Sequence, residues 1–486
     1  MDFKKIINSL AIIILTIASG LAISYYHFSV LVALVIFIFF LFILIYPDKA
    51  LFFLVAYLPF QIALNPAPGI DLASGRVLIL LIFAAWILKS FGEKRFFIPN
   101  VPQTWLILIF LFLSSLSILV AEDLERAFRK ILVFLSIFPL YFLIISIIDN
   151  KEKLKKIIRL IFISAAAISF IGLVQFFVQF VVGFEKISNF WAEIIAPLFY
   201  GRAFTAQIIT TPSWYVNIEG ITYLRAFSFF PDPHMFSFYI GLVLPIAIAL
   251  LFYKSKKAIF WNLAFGIFIC LLFIVNCLSF SRGGYLGMMF GILAVCLLLR
   301  KKLITKKLFI ALLIIFMAFG FFLAENPVAA RFLSIFDFGE GSNIGRIETW
   351  KEAMKVVQDN PILGVGIGNY SYEIEPTASY RAPIYAHNTY LDIAGEMGLF
   401  TLAVWLLLIG ITIWQLIIIA RDIESSGPEE IKLIAAGLTG SLIWFSVHSF
   451  FESPIYSPTI LAMLMIVLGL SVSIRRIANC DLISKT

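Results

Sequence analysis

The chain has 486 residues, of which 62% are hydrophobic and 14% charged, and its mean hydropathy is +1.01. Soluble domains carry roughly 25% charged residues, so an ordinary soluble class is excluded and long stretches must be apolar on every side, as in a bilayer. The formal net charge of +8 does not point to nucleic acid, because the basic residues sit mostly between apolar runs, where they report topology.

A bilayer crossing needs about 20 apolar residues, and breaks at charges, Pro and Gly then divide the chain into about fourteen predicted spans. They run over 6–24, 28–46, 50–65, 76–92, 103–121, 130–148, 157–183, 234–253, 259–279, 284–299, 308–324, 399–420, 433–450 and 457–474. The expected fold is an all-α integral membrane protein, a single polytopic bundle of about 12–14 transmembrane helices over 1–486. The first span follows Lys4 and Lys5 and reads as a retained signal anchor, because another span follows at once. With Lys4 and Lys5 inside, the clusters Lys94-Arg95, Lys151 to Arg159, Lys254 to Lys257 and Arg300 to Lys307 all become cytoplasmic. The positive-inside rule thus predicts two cytoplasmic termini.

Two hydrophilic segments fall on the outer side, 184–233 and the larger 325–398. In the second, Ile347, Trp350, Met354 and Val357 recur at helical spacing opposite Glu348, Lys351, Glu352, Lys355 and Asp359. This predicts an amphipathic helix lying on the bundle by its apolar stripe. Asn360-Pro361 ends it, and Gly364, Gly366 and Gly368 predict a flexible turn before another helix near His387.

The ionisable residues that could do chemistry, Arg225, Arg282, Arg346, Arg381 and His387, map to outer loops or outer helix ends. A proton-coupled transporter needs such groups part-way across the bilayer. Gln61, Gln175 and Gln179 are the main polar residues inside spans and are expected to make helix-helix hydrogen bonds. Each arginine has a bland reading: Arg282 as an interfacial anchor, Arg225 as a partner of Asp232, Arg346 as a partner of Glu348 or Asp359. Together they suit a diphosphate, since a guanidinium stays charged and offers two parallel hydrogen bonds, and Gly283-Gly284 would let a ligand approach the backbone. His387 is either a structural histidine or a general base, with Asn388 to orient it. His234 and His448, the latter with Glu452 nearby, are second choices. Glu122 and Asp123 lack completing ligands, and Cys270, Cys277, Cys296 and Cys480 have no metal-ligand spacing, so no metal site is expected.

The ordered motifs Ser281-Arg282-Gly283-Gly284, Arg346 with Trp350, Asp359 to Asn369, His387-Asn388-Thr389-Tyr390-Leu391 and Glu396-Met397-Gly398-Leu399 resemble the O-antigen ligase and polymerase superfamily. The resemblance covers roughly residues 220–455, with Arg225 and Pro231-Asp232-Pro233 also matching, although His234 stands where asparagine is usual. It implies a metal-independent, inverting glycosyltransferase of the bacterial inner membrane that needs no cofactor. Its donor would be an undecaprenyl-diphosphate-linked glycan, and its acceptor lipid A core (ligase), glycan (polymerase) or protein. His387 becomes the catalytic base on the extracytoplasmic side, and Arg225, Arg282 and Arg346 bind the diphosphate. Arg381, Asn388, Tyr390 and Glu396 support them. Ligase is the favoured member and polymerase the alternative. A flippase or exporter of lipid-linked glycan is the competing non-enzyme reading.

Overall fold

The computed structural model describes residues 28–67, 70–93, 99–209, 212–218, 220–253, 259–299, 327–334, 341–378, 380, 383–421 and 429–483. The predicted spans at 6–24 and 308–324, and Arg381, lie outside these residues. The other predicted spans coincide with helices: α1 (Phe28–Ile45), α2 (Pro47–Tyr57), α3 (Ser74–Gly92), α4 (Pro102–Leu116), α5 (Leu124–Ile137), α6 (Pro139–Ile147) and α7 (Lys151–Val182). After three short helices, α8 (Phe184–Phe190), α9 (Ala196–Tyr200) and α10 (Arg202–Ile208), the bundle resumes with α11 (Pro233–Leu251), α12 (Ile259–Leu278) and α13 (Arg282–Leu298). Then come α14 (Pro327–Leu333), α15 (Gly341–Asp359), α16 (Tyr370–Ile374), α17 (Thr389–Arg421), α18 (Glu429–His448) and α19 (Pro458–Ile483). Among the described residues, 8 helices are long and apolar enough to cross a membrane, or up to 9 if α1 and α2, bent by 117°, form one broken span. The protein is an all-α polytopic membrane protein.

The predicted boundaries move where local chemistry demands it. Pro139 lacks the amide for an interior helical bond, so the span predicted at 130–148 is interrupted at Phe138 into α5 and α6, which together make one crossing, Leu124–Ile147. The 50–65 span stops at Phe60 and its tail forms an antiparallel hairpin, β1 (Ala63–Ala67) with β2 (Ile70–Ala73). A second hairpin, β3 (Tyr215–Ile218) with β4 (Ile221–Leu224), pairs Tyr215 with Leu224 just ahead of Arg225.

The centre of the bundle is α18, which packs on α11 and α13 through small residues. Gly241, Gly287 and Gly291 leave room for the Trp444 side chain, and Gly437 lies against the backbone of Ile246. Between membrane helices, where apolar side chains gain nothing by leaving lipid, such close approach is what dispersion rewards.

Two local expectations are overturned. In α15 the buried positions are Ala353 and Val356, while Ile347 and Met354 are exposed. Arg346 lies on the same face as Trp350 and Ala353, and its ion pair with the buried Glu452 rotates the helix away from its simple apolar stripe. The Gly364 to Gly368 segment is not a loose turn but a wedge packed between the start of α5 and the middle of α17. Gly364 has φ +67, and a Cβ there would collide with the backbone of Glu396 and Gly395. Val365 N donates to Gly395 O at 2.8 Å and Leu399 N to Pro361 O at 2.8 Å. These bonds hold a kink in α17 at Gly398 (φ +83), where a Cβ would strike the Ile362 carbonyl.

Candidate active site

The candidate residues gather around the start of α17, ahead of its kink at Gly398. His387 precedes α17, whose N-cap is Asn388: Asn388 Oδ1 accepts from Tyr390 N at 3.0 Å and Leu391 N at 3.2 Å. That use as a cap, which satisfies amides at the helix start, replaces the expected role of orienting His387. His387 is instead oriented by Glu452, in the turn after α18: the imidazole Nδ1 lies 3.0 Å from Glu452 Oε2. The contact selects the tautomer with Nδ1–H donating to the carboxylate and leaves Nε2 as the basic nitrogen. The His387 side chain is 53% exposed whereas Glu452 is 8% exposed, so the imidazole faces open space and the carboxylate that orients it does not.

Glu452 is the hub. Its Oε1 accepts from Arg346 Nη2 at 2.8 Å, and His234 Nε2 lies 3.5 Å from the same oxygen. His234 Nδ1 is 2.9 Å from Ser281 Oγ, which is 3.1 Å from His448 Nε2. His448 stacks on Phe238 at 3.7 Å. Three of the chain's four histidines therefore connect to one carboxylate, two of them through direct approach to it and His448 through Ser281 and then His234. Burial alone would raise the Glu452 carboxyl, but His234, His387 and Arg346 hold it well below the ordinary range. Reciprocally, the Glu452 charge lifts the His387 imidazole above 6.5, against the opposing pull of burial.

The arginines reach this region from two sides. Gln175 Oε1 accepts from Phe227 N at 3.1 Å and Ser228 N at 2.8 Å, while Gln179 Oε1 accepts from Leu224 N at 2.8 Å. The two glutamines thus splint the segment bearing Arg225 against α7, rather than joining helix to helix as the sequence predicts. Gln61, by contrast, does bond across helices, to Thr459. Arg225 donates through Nε to Ser279 O at 2.7 Å and through Nη1 to Ser213 O at 2.9 Å. Its Nη2 is buried without a partner among the described residues. Burial, and next the Arg331 cation, push the Arg225 pKa down to about 9, which leaves it charged at neutral pH. Asp232 is chiefly the cap of α11, its Oδ1 accepting from His234 N at 2.8 Å and Met235 N at 2.9 Å.

Arg282 opens α13 three residues after Ser279 and is 5% exposed, donating from Nη1 to Ser334 O at 3.4 Å. The adjacent glycines serve packing rather than ligand approach, because a Cβ at Gly283 would meet His448 and one at Gly284 would meet Ser237. Arg331 on α14 is a further cation beside Arg225 that the motifs do not single out. Arg225, Arg282 and Arg331 form one basic flank, and Arg346 with His387 forms the other around Glu452.

The remaining candidates are structural neighbours. Tyr390 Oη donates to Ser446 O at 2.7 Å, tying α17 to α18. Glu396 pairs with Lys130 at 3.0 Å and accepts from Tyr456 Oη at 2.8 Å, with Lys130 Nζ 3.3 Å above the Tyr456 ring. Asp123 is occupied by Arg126, whose Nε lies 2.8 Å from Oδ2.

Residues 267–406 match the O-antigen ligase family. The matched stretch contains Arg282, Arg331, Arg346 and His387, and stops between His387 and its partner Glu452. The teichuronic acid biosynthesis protein TuaE of Bacillus subtilis (strain 168) is 27% identical over 198 residues. That alignment covers 38% of this chain and 40% of the relative, so the chain spans less than half of the relative's length. The ligase family resemblance drawn from the motifs therefore holds, and its matched stretch takes in the histidine and arginines of both flanks, leaving out Arg225 and Glu452.

Proposed function

We propose that the protein is a metal-independent, inverting glycosyltransferase that moves a glycan from undecaprenyl diphosphate to an acceptor hydroxyl at the outer face of the inner membrane. The observation that carries this reading is the His387–Glu452 pair, its exposed imidazole flanked by buried arginines. His387 Nε2 takes the proton of the acceptor hydroxyl as that oxygen attacks the anomeric carbon from the face opposite the leaving group. The bond from the anomeric carbon to the diphosphate oxygen breaks, and the departing lipid diphosphate keeps the electron pair. Arg225, Arg282 and Arg346 stabilise the charge that develops on it, the stage at which fixed cations lower a barrier most. The imidazolium formed is stabilised by Glu452.

For the acceptor, the family description favours ligation onto lipid A core, whereas the relative's name, teichuronic acid rather than lipopolysaccharide, favours growth of a glycan. The test is transfer by the purified protein in detergent with EDTA, from a defined undecaprenyl-diphosphate glycan, with lipid A core and glycan acceptors supplied separately. Transfer by the native chain and none by His387→Ala is expected, and the acceptor that reacts separates ligase from polymerase. Full activity in His387→Ala rejects the base assignment. A folded native chain that transfers to neither acceptor moves a protein acceptor or a transport role to the front.

A further inference from the structure

The pair that carries the proposed chemistry is held by backbone that is not relaxed. His387 has φ +48, in the left-handed region that a residue with a Cβ adopts only when its surroundings impose it. On its C-terminal side, Thr389 N donates to Ser449 O at 2.9 Å and Thr389 Oγ1 to Glu452 O at 2.8 Å. On its N-terminal side the restraint is Asp392, which is 1% exposed in the first turn of α17. One Asp392 oxygen, Oδ1, accepts from Ala386 N at 2.9 Å, and the other, Oδ2, accepts from the Ser453 hydroxyl. Ala386 is the residue before His387, and Ser453 is the residue after Glu452. A carboxylate placed only to favour a helix start would turn to the amides of its own helix. This one spans the two loops instead.

We infer that Asp392 is a positioning residue for the transferase, a single carboxylate that ties together the two loops bearing His387 and Glu452 and so sets their separation. The inference rests on the reading of His387 as the base. Asp392 touches neither the imidazole nor the Glu452 carboxylate through any bond described above, so it acts through Ala386 and Ser453. An alanine removes both contacts, whereas an asparagine keeps them, its oxygen accepting from Ala386 N and its amide donating to the Ser453 hydroxyl, which can accept as well as donate. The charged and titratable groups facing the assembly are Glu452, Arg346 and Asp392 itself toward His387, His234 toward Glu452, and Lys130 and Glu396 toward Asp392, so Ser453→Ala, which keeps the Asp392 charge, separates positioning from the direct effect of that charge.

The test uses the full chain in detergent, and first requires that native protein transfers glycan and His387→Ala does not, which decides the underlying reading separately. Asp392→Ala and Ser453→Ala are then compared with native protein in two ways. Steady-state transfer against pH gives kcat, donor KM and the acid limb. Diethyl pyrocarbonate modification of His387, followed by peptide mass spectrometry, gives its titration midpoint without any need for activity. The expected result in Asp392→Ala is a kcat at least ten-fold lower, a donor KM within about two-fold of native, and both the acid limb and the His387 midpoint displaced downward. Ser453→Ala moves the same quantities in the same direction by less, and carries the test should Asp392→Ala not fold. A native midpoint and a native acid limb in folded Ser453→Ala overturn the inference, whatever happens to the rate or in Asp392→Ala.

Discussion

His387 cannot accept a proton while it is protonated, so the direction of its titration decides how the rate depends on pH. Glu452 raises the imidazole pKa above 6.5. The transfer rate should therefore fall as pH drops through that raised value, and the acid limb should lie above the position of an unpaired histidine, about 6.5. Glu452→Gln keeps the shape and an acceptor for Nδ1–H but removes the charge. It should move the limb down toward 6.5 and lower kcat on the order of 10²-fold, within the range of lost acid-base assistance. Rate measured from pH 5 to 8 on both proteins checks this, and an unmoved limb would show that Glu452 does not govern the base. Sequence spacing finds His387, because a lone histidine in a long outer segment is conspicuous, but it does not find the 65-residue link to Glu452. It equally misassigns Arg346, whose partner lies 106 residues away rather than on its own helix.

At the scale of elements, the spans were legible because bilayer burial acts on each segment separately: twenty apolar residues carry their own signal. Rotation and loop shape were not, because both depend on partners from elsewhere. Ile347 and Met354 form an apolar stripe that α15 does not bury, and the three loop glycines are wedged against α5 and α17 rather than mobile. Gln175 and Gln179 belong here too, since their position mid-helix reveals nothing of the loop they hold. Gln175→Leu should leave the buried amides of Phe227 and Ser228 without their acceptor, a cost of about 1–3 kcal/mol per group if nothing else moves in. The segment carrying Arg225 would loosen, so the expected outcome is a several-fold rise in donor KM with a smaller change in kcat. Saturation curves in the donor at fixed acceptor measure both. A native donor KM in a variant that has lost kcat would separate this splint from the diphosphate site.

For the whole molecule the decisive question is which side of the membrane holds the site, and α7 connects the two ends. Lys153 lies near its start and Gln179, which grips the Arg225 segment, near its end. Those 26 intervening steps span about 39 Å at about 1.5 Å per residue, more than the roughly 30 Å hydrocarbon core. The lysine-rich start of α7 and the arginine-histidine cluster must then sit on opposite faces. If the basic loops are cytoplasmic, as the positive-inside rule requires, the cluster faces outward, where a lipid-linked glycan that has already crossed the membrane would meet it. Single cysteines placed at exposed positions in an otherwise cysteine-free chain test this in intact cells. Asn217→Cys, on β3 beside the Arg225 segment, should react with a membrane-impermeant maleimide, and Lys153→Cys should react only after the membrane is opened. The reverse pattern would place the site on the cytoplasmic face, beside newly made donor, and would remove the argument for transfer outside the membrane while leaving the His387–Glu452 chemistry intact.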